Sequence, residues 1–382
     1  MRGKSAISSW QLAVLLFLSR VVQFFLVVPQ KEQPGALTAA FLLPVSAAAG
    51  AALLLPAYFL LRRHPGKGLL DIAGENWGGA GMLFPAVFFL FSMCVLIQTA
   101  CGFSYFLTNA AYPQTSPWLF ILLLLAVGGY TASMGYEATA RFASFVLAGL
   151  AAALLFVGIS LCPQAQWEFL RPPSRDGWQS QVSLFLSLTL GNVETAALLF
   201  LIPMVNRNKV SVFWKWQILS VTVLSAIFLV TAAALGDYAK SQRFPFYAVT
   251  KIAEMSIFQR LDSLHTALWV FMALARLALF LEVAGKSLAR VLPQKASKYA
   301  VTACAALTAA ASGILMEKPD ALEWIGNFSP AGYRCFSLCF CCRFCFWHPA
   351  GKGGEDNEEN GDRDLVSFAF AIDRLRAVSS AK

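Results

Sequence analysis

The chain has 382 residues, of which 58% are hydrophobic and only 13% charged, with a mean hydropathy of +0.61. Soluble domains carry roughly 45–50% apolar and about 25% charged residues, so this composition excludes an ordinary soluble globular protein and requires a bilayer as solvent. The net charge of +9 resides in Lys and Arg that flank apolar segments, not in basic blocks with interleaved aromatics, which argues against a nucleic-acid partner.

Apolar runs long enough to cross a hydrocarbon core of about 30 Å recur along the chain. Spans are expected at 7–28, 36–61, 82–107, 118–133, 142–161, 182–204, 213–235, 264–291 and 300–315. The first follows Met-Arg-Gly-Lys. It is too long for a signal-peptide core and has no small-residue cleavage site after it, so it reads as a span. Residues 69–77 are amphipathic and predict an interfacial helical turn or two. Residues 246–261 carry Val249, Ile252, Ile257 and Leu261 at helical spacing and predict a surface helix before the eighth span.

A tenth apolar stretch, 325–347, holds Arg334, Arg343 and five cysteines and departs from a normal membrane helix. Residues 348–382 form a polar C-terminal tail. The expected organisation is one transmembrane domain over 1–330, all-α and polytopic, with about ten transmembrane helices. Lys and Arg are more frequent in the connections on the N-terminal side, which points to a cytoplasmic N-terminus.

Charge inside the hydrocarbon core costs about 2.5–3.5 kcal/mol per central Arg or Asp, so the exceptions are informative. Arg20 lies in the first span with Ser19 and Gln23 beside it. Glu194 lies in the sixth, after Thr189, Gly191 and Asn192. Arg276 lies in the eighth, with Glu282 two turns further on. These charges allow two readings, a buried ion pair that fixes packing or a polar cavity for a small zwitterion. An amino acid suits the cavity, because it brings one carboxylate and one ammonium. Gly191-Asn192 interrupts an apolar helix, as a close-packing point or as unwound backbone facing a cavity. Gln98, Thr99 and Gly102, with Ser104 and Tyr105, form a polar face on the third span, either a packing seam or a ligand surface.

No sequence pattern supports catalysis. HExxH, P-loop and triad signatures are missing, and the glycines after Trp77 lack a strand–turn–helix context. Cys342 and Cys345 with His348 lack the second pair that a zinc site needs. No metal, cofactor or catalytic residue is expected.

Four stretches carry a resemblance in their order and spacing. They are Ile-Ser-Ser-Trp-Gln-Leu at 7–12, Gly-Tyr-Glu-Ala-Thr-Ala-Arg at 135–141, and the run from Asn192 ending in Leu-Phe-Leu-Ile-Pro-Met-Val-Asn206. The fourth is 244–282, with Phe-Pro-Phe-Tyr, Phe-Gln-Arg-Leu-Asp at 258–262 and Arg276. Over residues 5–325 the chain resembles the spore germination permease family, the B subunits of GerA-type nutrient germinant receptors, which are related to the amino acid/polyamine/organocation transporters. The resemblance implies a LeuT-like 5+5 inverted repeat with the first and sixth spans unwound at the midplane. It also implies an inner spore membrane location, an A-type subunit and a lipoprotein C-type subunit as partners, and a small-molecule nutrient such as an amino acid as ligand.

The function expected on that basis is nutrient sensing that triggers spore germination. A carrier coupled to a proton or Na+ would share the fold, and a structural subunit without its own ligand would also fit. The expected ligand-binding residues are Ser19, Arg20, Gln23, Gln98, Thr99, Gly102, Thr189, Gly191, Asn192, Glu194 and Arg276. The chain departs from the family pattern at Ser19-Arg20, where a glycine-bearing break is expected. It departs again after about Pro330, where composition changes as abruptly as in a shifted reading frame.

Overall fold

The computed structural model of the chain describes residues 7–26, 36–64, 67–77, 81–161, 165–170, 177–205, 209–242, 244–252 and 262–318. All of them belong to the first of two compact units, Met1–Cys342. The tenth apolar stretch, the polar tail and the second half of the predicted surface helix lie outside the described residues.

The long helices are α1 (Ser9–Leu26), α2 (Ala36–Arg63), α4 (Leu83–Phe106), α5 (Pro117–Met134), α6 (Tyr136–Leu161), α9 (Lys209–Leu235) and α11 (Asp262–Val291), with α13 (Ala300–Met316) close behind. A single span over Trp178–Met204 is built from two pieces, α7 (Trp178–Leu190) and α8 (Glu194–Leu201). Short helices α3 (Leu69–Trp77), α10 (Pro245–Ile252) and α12 (Gln294–Ser297) occupy connections. Among the described residues, seven helical segments are long and apolar enough to cross a membrane, and α1 and α13 contribute shorter apolar runs. No strand occurs among them; one isolated bridge joins Ile7 to Val205.

Burial separates the helices by role. In α11, 83% of the apolar window is buried, against 22% in α2 and in α6. Lipid is as good a solvent for Leu and Phe as another helix is, so α2 and α6 can face it. In α1 every residue from Leu12 to Gln23 is buried. A helix that is apolar all round belongs inside, and α1 and α11 are the axis around which the others pack.

Local chemistry explains several boundaries. Ser8 and Gln11 form a reciprocal capping box at the start of α1, with Gln11 N–H donating to Ser8 Oγ at 3.1 Å and Ser8 N–H to Gln11 Oε1 at 3.2 Å. Pro117 opens α5, where its missing N–H is harmless. Gly135, at φ +95°, ends α5 in backbone that a side chain would strain, and α6 begins at once at Tyr136. The fifth span therefore starts at Tyr136, six residues before the predicted 142. The predicted interfacial helix is α3. Gly68 N–H donates to Asp71 Oδ2 at 2.9 Å, and Arg290, in the last turn of α11, holds Asp71 Oδ1 at 2.6 Å.

One expectation from the resemblance is overturned. The first span is not unwound: α1 runs continuously through Ser19 and Arg20. The reason lies in its composition. The helix contains neither Gly nor Pro, so nothing in it releases a backbone bond at that depth. The break in the sixth span is present, between Leu190 and Glu194.

Candidate functional site

The break comes first, because it positions everything else. Gly191 N–H closes the last turn of α7 onto Ser187 O at 3.0 Å. A Cβ on Gly191 would lie 2.4 Å from that same oxygen, so any other residue would push the turn open. Val193 N–H then turns back to Gly191 O at 3.0 Å, and α8 starts with Glu194 in its first turn. A carboxylate in that position also complements the positive end of the helix dipole.

Two carbonyls at the end of α7 take side chains of α1. Arg20 NH2 donates to Leu188 O at 2.7 Å, and Gln23 Nε2 donates to Gly191 O at 2.7 Å. Glu194, fully buried, is the hub of an ion cluster. Its Oε1 accepts Arg276 NH1 at 2.5 Å and Ser19 Oγ at 2.8 Å. Its Oε2 faces Arg20 NH1 at 3.9 Å and has no hydrogen-bond partner among the described residues. Arg276 also donates to Ser19 O at 2.6 Å, to Ser19 Oγ at 2.9 Å and, through Nε, to Thr99 Oγ1 at 3.0 Å. Aromatic faces cover both guanidiniums, Phe24 4.8 Å from Arg20 and Phe280 5.4 Å from Arg276.

The side chains therefore join α1, α4, α8 and α11 with the end of α7. Ser19, Arg20, Gln23, Thr99, Glu194 and Arg276 meet, and Gly191 supplies a carbonyl. Asn192 is buried in the break, with its Oδ1 unpartnered among the described residues, as is Gln23 Oε1. Gln98 and Gly102 flank Thr99 on α4 and are half-buried. Thr189 spends its hydroxyl on Phe185 O of its own helix at 2.8 Å.

Glu282 does not join this cluster. It lies six residues beyond Arg276, so its side chain points about 120° away around α11. There it accepts Thr139 Oγ1 of α6 at 3.0 Å, while Lys286 sits 3.5 Å over the Tyr136 ring. Sequence reasoning missed that second polar centre and also missed Leu188, whose backbone carbonyl carries the interaction. No side-chain pattern signals a free carbonyl. Phe106 packs on Trp269 at 4.5 Å and Trp269 on His265 at 4.4 Å between ring centroids.

Residues 7–321 match the family model described as spore germination protein. The chain belongs to that family. It is an integral membrane protein and a germination-related permease or transporter. Among solved structures, this chain is similar to a Na+-coupled sialic acid symporter in a substrate-bound outward-open state. The TM-score is 0.63 at 14% identity, over 88% of this chain and 79% of that one. The shared architecture is the LeuT-like fold expected from the resemblance, and at this identity the likeness concerns the fold alone. No curated protein matches the chain.

Proposed function

We propose that the chain is the nutrient-sensing subunit of a germinant receptor in the inner spore membrane, acting with an A-type subunit and a lipoprotein C-type subunit. Its ligand is a small zwitterion such as an amino acid, held where α1, the α7–α8 break and α11 cross. The observation that carries this reading is the three-charge cluster. Arg20, Glu194 and Arg276 come from separate elements, and the acceptor atoms Glu194 Oε2, Asn192 Oδ1 and Gln23 Oε1 lie at the same break without partners among the described residues. A ligand carboxylate suits the guanidiniums, and a ligand ammonium suits the three acceptors.

Sensing requires a ligand that binds two states with different affinity. A ligand carboxylate that competes with Glu194 for Arg276 meets that requirement, because it loosens α8 from α11. Spores carrying Glu194→Gln or Arg276→Ala should lose nutrient-triggered germination while the receptor subunits still assemble. An unchanged nutrient dose response in either strain would defeat the assignment.

A carrier coupled to a proton or Na+ is the second reading, and it draws support from the fold and from Glu282, a buried acid outside the cluster. Uptake of labelled amino acid into liposomes by the isolated chain would favour it. A chain that neither transports nor alters the dose response when its cluster is changed would be a structural subunit.

A further inference from the structure

The break between α7 and α8 ends a helix inside the membrane. The C-terminal end of such a half-helix presents carbonyls and the negative end of the helix dipole, an arrangement that suits a bound cation. In this chain the position is filled by a side chain. Arg20 NH2 lies 2.7 Å from Leu188 O, and Gln23 Nε2 lies 2.7 Å from Gly191 O. Arg20 faces Glu194 only at 3.9 Å, so its tightest polar contact is with the helix end.

Two further observations agree. First, α1 is continuous, so apart from Ser19 O, which is taken by Arg276 at 2.6 Å, it contributes side chains to the crossing. Second, Gln23 Oε1 and Asn192 Oδ1 are buried oxygens without partners among the described residues, next to the same break. With the leftover Glu194 Oε2 they form an oxygen-rich environment suited to a hard monovalent cation if the guanidinium is removed.

We infer that Arg20 is a tethered cation that stands at the C-terminal end of α7 in place of an inorganic ion, and that this crossing binds its ligand without Na+. The guanidinium is covalently held, so the site is charged whatever the salt. This property suits a sensor that must answer to nutrient alone, and the inference rests on the sensor reading above.

The test uses the purified full chain in lipid nanodiscs without nutrient, so its failure is distinct from failure of the spore dose response. Thermal unfolding is compared in NaCl, in KCl and in N-methyl-D-glucamine chloride of equal ionic strength. The wild-type midpoint should be the same in all three. Arg20→Ala should gain a saturable rise of a few degrees in Na+ or K+, because the small cation restores the lost charge, and Arg20→Lys should behave as the wild type. A saturable Na+ response of the wild type would overturn the inference. So would a folded Arg20→Ala chain indifferent to both alkali cations. If Arg20→Ala and Arg20→Gln fold only in NaCl or KCl, the inference stands; if they fold in none of the three salts, it falls.

Discussion

The cluster makes an asymmetric prediction about which member matters most for stability. Arg20 and Arg276 carry two positive charges against the single negative charge of Glu194, so the group stands at +1. Replacing Arg276 by Met leaves one guanidinium facing one carboxylate. At 3.9 Å and an effective dielectric near 20, that remaining pair attracts by about 4 kcal/mol before desolvation is counted. Ser19 Oγ continues to donate to Glu194 at 2.8 Å. Replacing Glu194 by Gln instead leaves two buried guanidiniums with no counter-charge.

Removing one partner of a buried ion pair costs about 3–5 kcal/mol. Glu194→Gln should fall in that range, whereas Arg276→Met should cost about 2 kcal/mol, because Arg20 compensates. The double variant should cost less than the sum by at least about 1 kcal/mol. The assay is unfolding of the purified chain in mixed micelles, with gel filtration as the check on folding. If Arg276→Met proves more damaging than Glu194→Gln, or if the cycle shows no coupling, the charge argument is wrong.

Two further predictions concern the periphery. Partial burial pushes the Asp71 carboxyl up, but the hydrogen bonds from Arg290 and Gly68 N–H, with the positive charges of Arg290 and Lys67, outweigh it and hold the group below its ordinary value of 3.8. A depressed folded-state value means that the contact between α3 and α11 contributes fully above pH 3.8 and is lost as pH falls through the lower, folded value. Protection of the α3 amides, measured against their intrinsic exchange rates, should therefore fall below pH 3.8 in the wild type, whereas Asp71→Asn should show low protection at every pH. A Cβ at Gly313 would lie 1.9 Å from the Trp118 ring, so Gly313→Ala must displace that ring from its 3.2 Å bond to Glu317. The expected cost is about 1–3 kcal/mol, with a shifted tryptophan emission; an unshifted spectrum would show that α5 and α13 do not pack this way.

Membrane character, the all-α architecture, the amphipathic helix at Leu69–Trp77 and the identity of the buried charges were legible in the sequence. Apolar length and the rarity of charge in hydrocarbon are local properties, and each span declares them on its own. At Gly191-Asn192 the sequence allows either a close-packing point or an unwound break, and the structure decides for the break, between Leu190 and Glu194. What only the tertiary structure decided is which charges meet. Arg20, Glu194 and Arg276 are 174 and 82 residues apart in pairs along the chain, and their junction depends on how α1 and α11 cross α8. The exclusion of Glu282 depends on a rotation of about 120° along one helix, which matters only once the neighbours are in place. The partner of Arg20 is a backbone carbonyl, a group that every residue carries and that only the three-dimensional break leaves free.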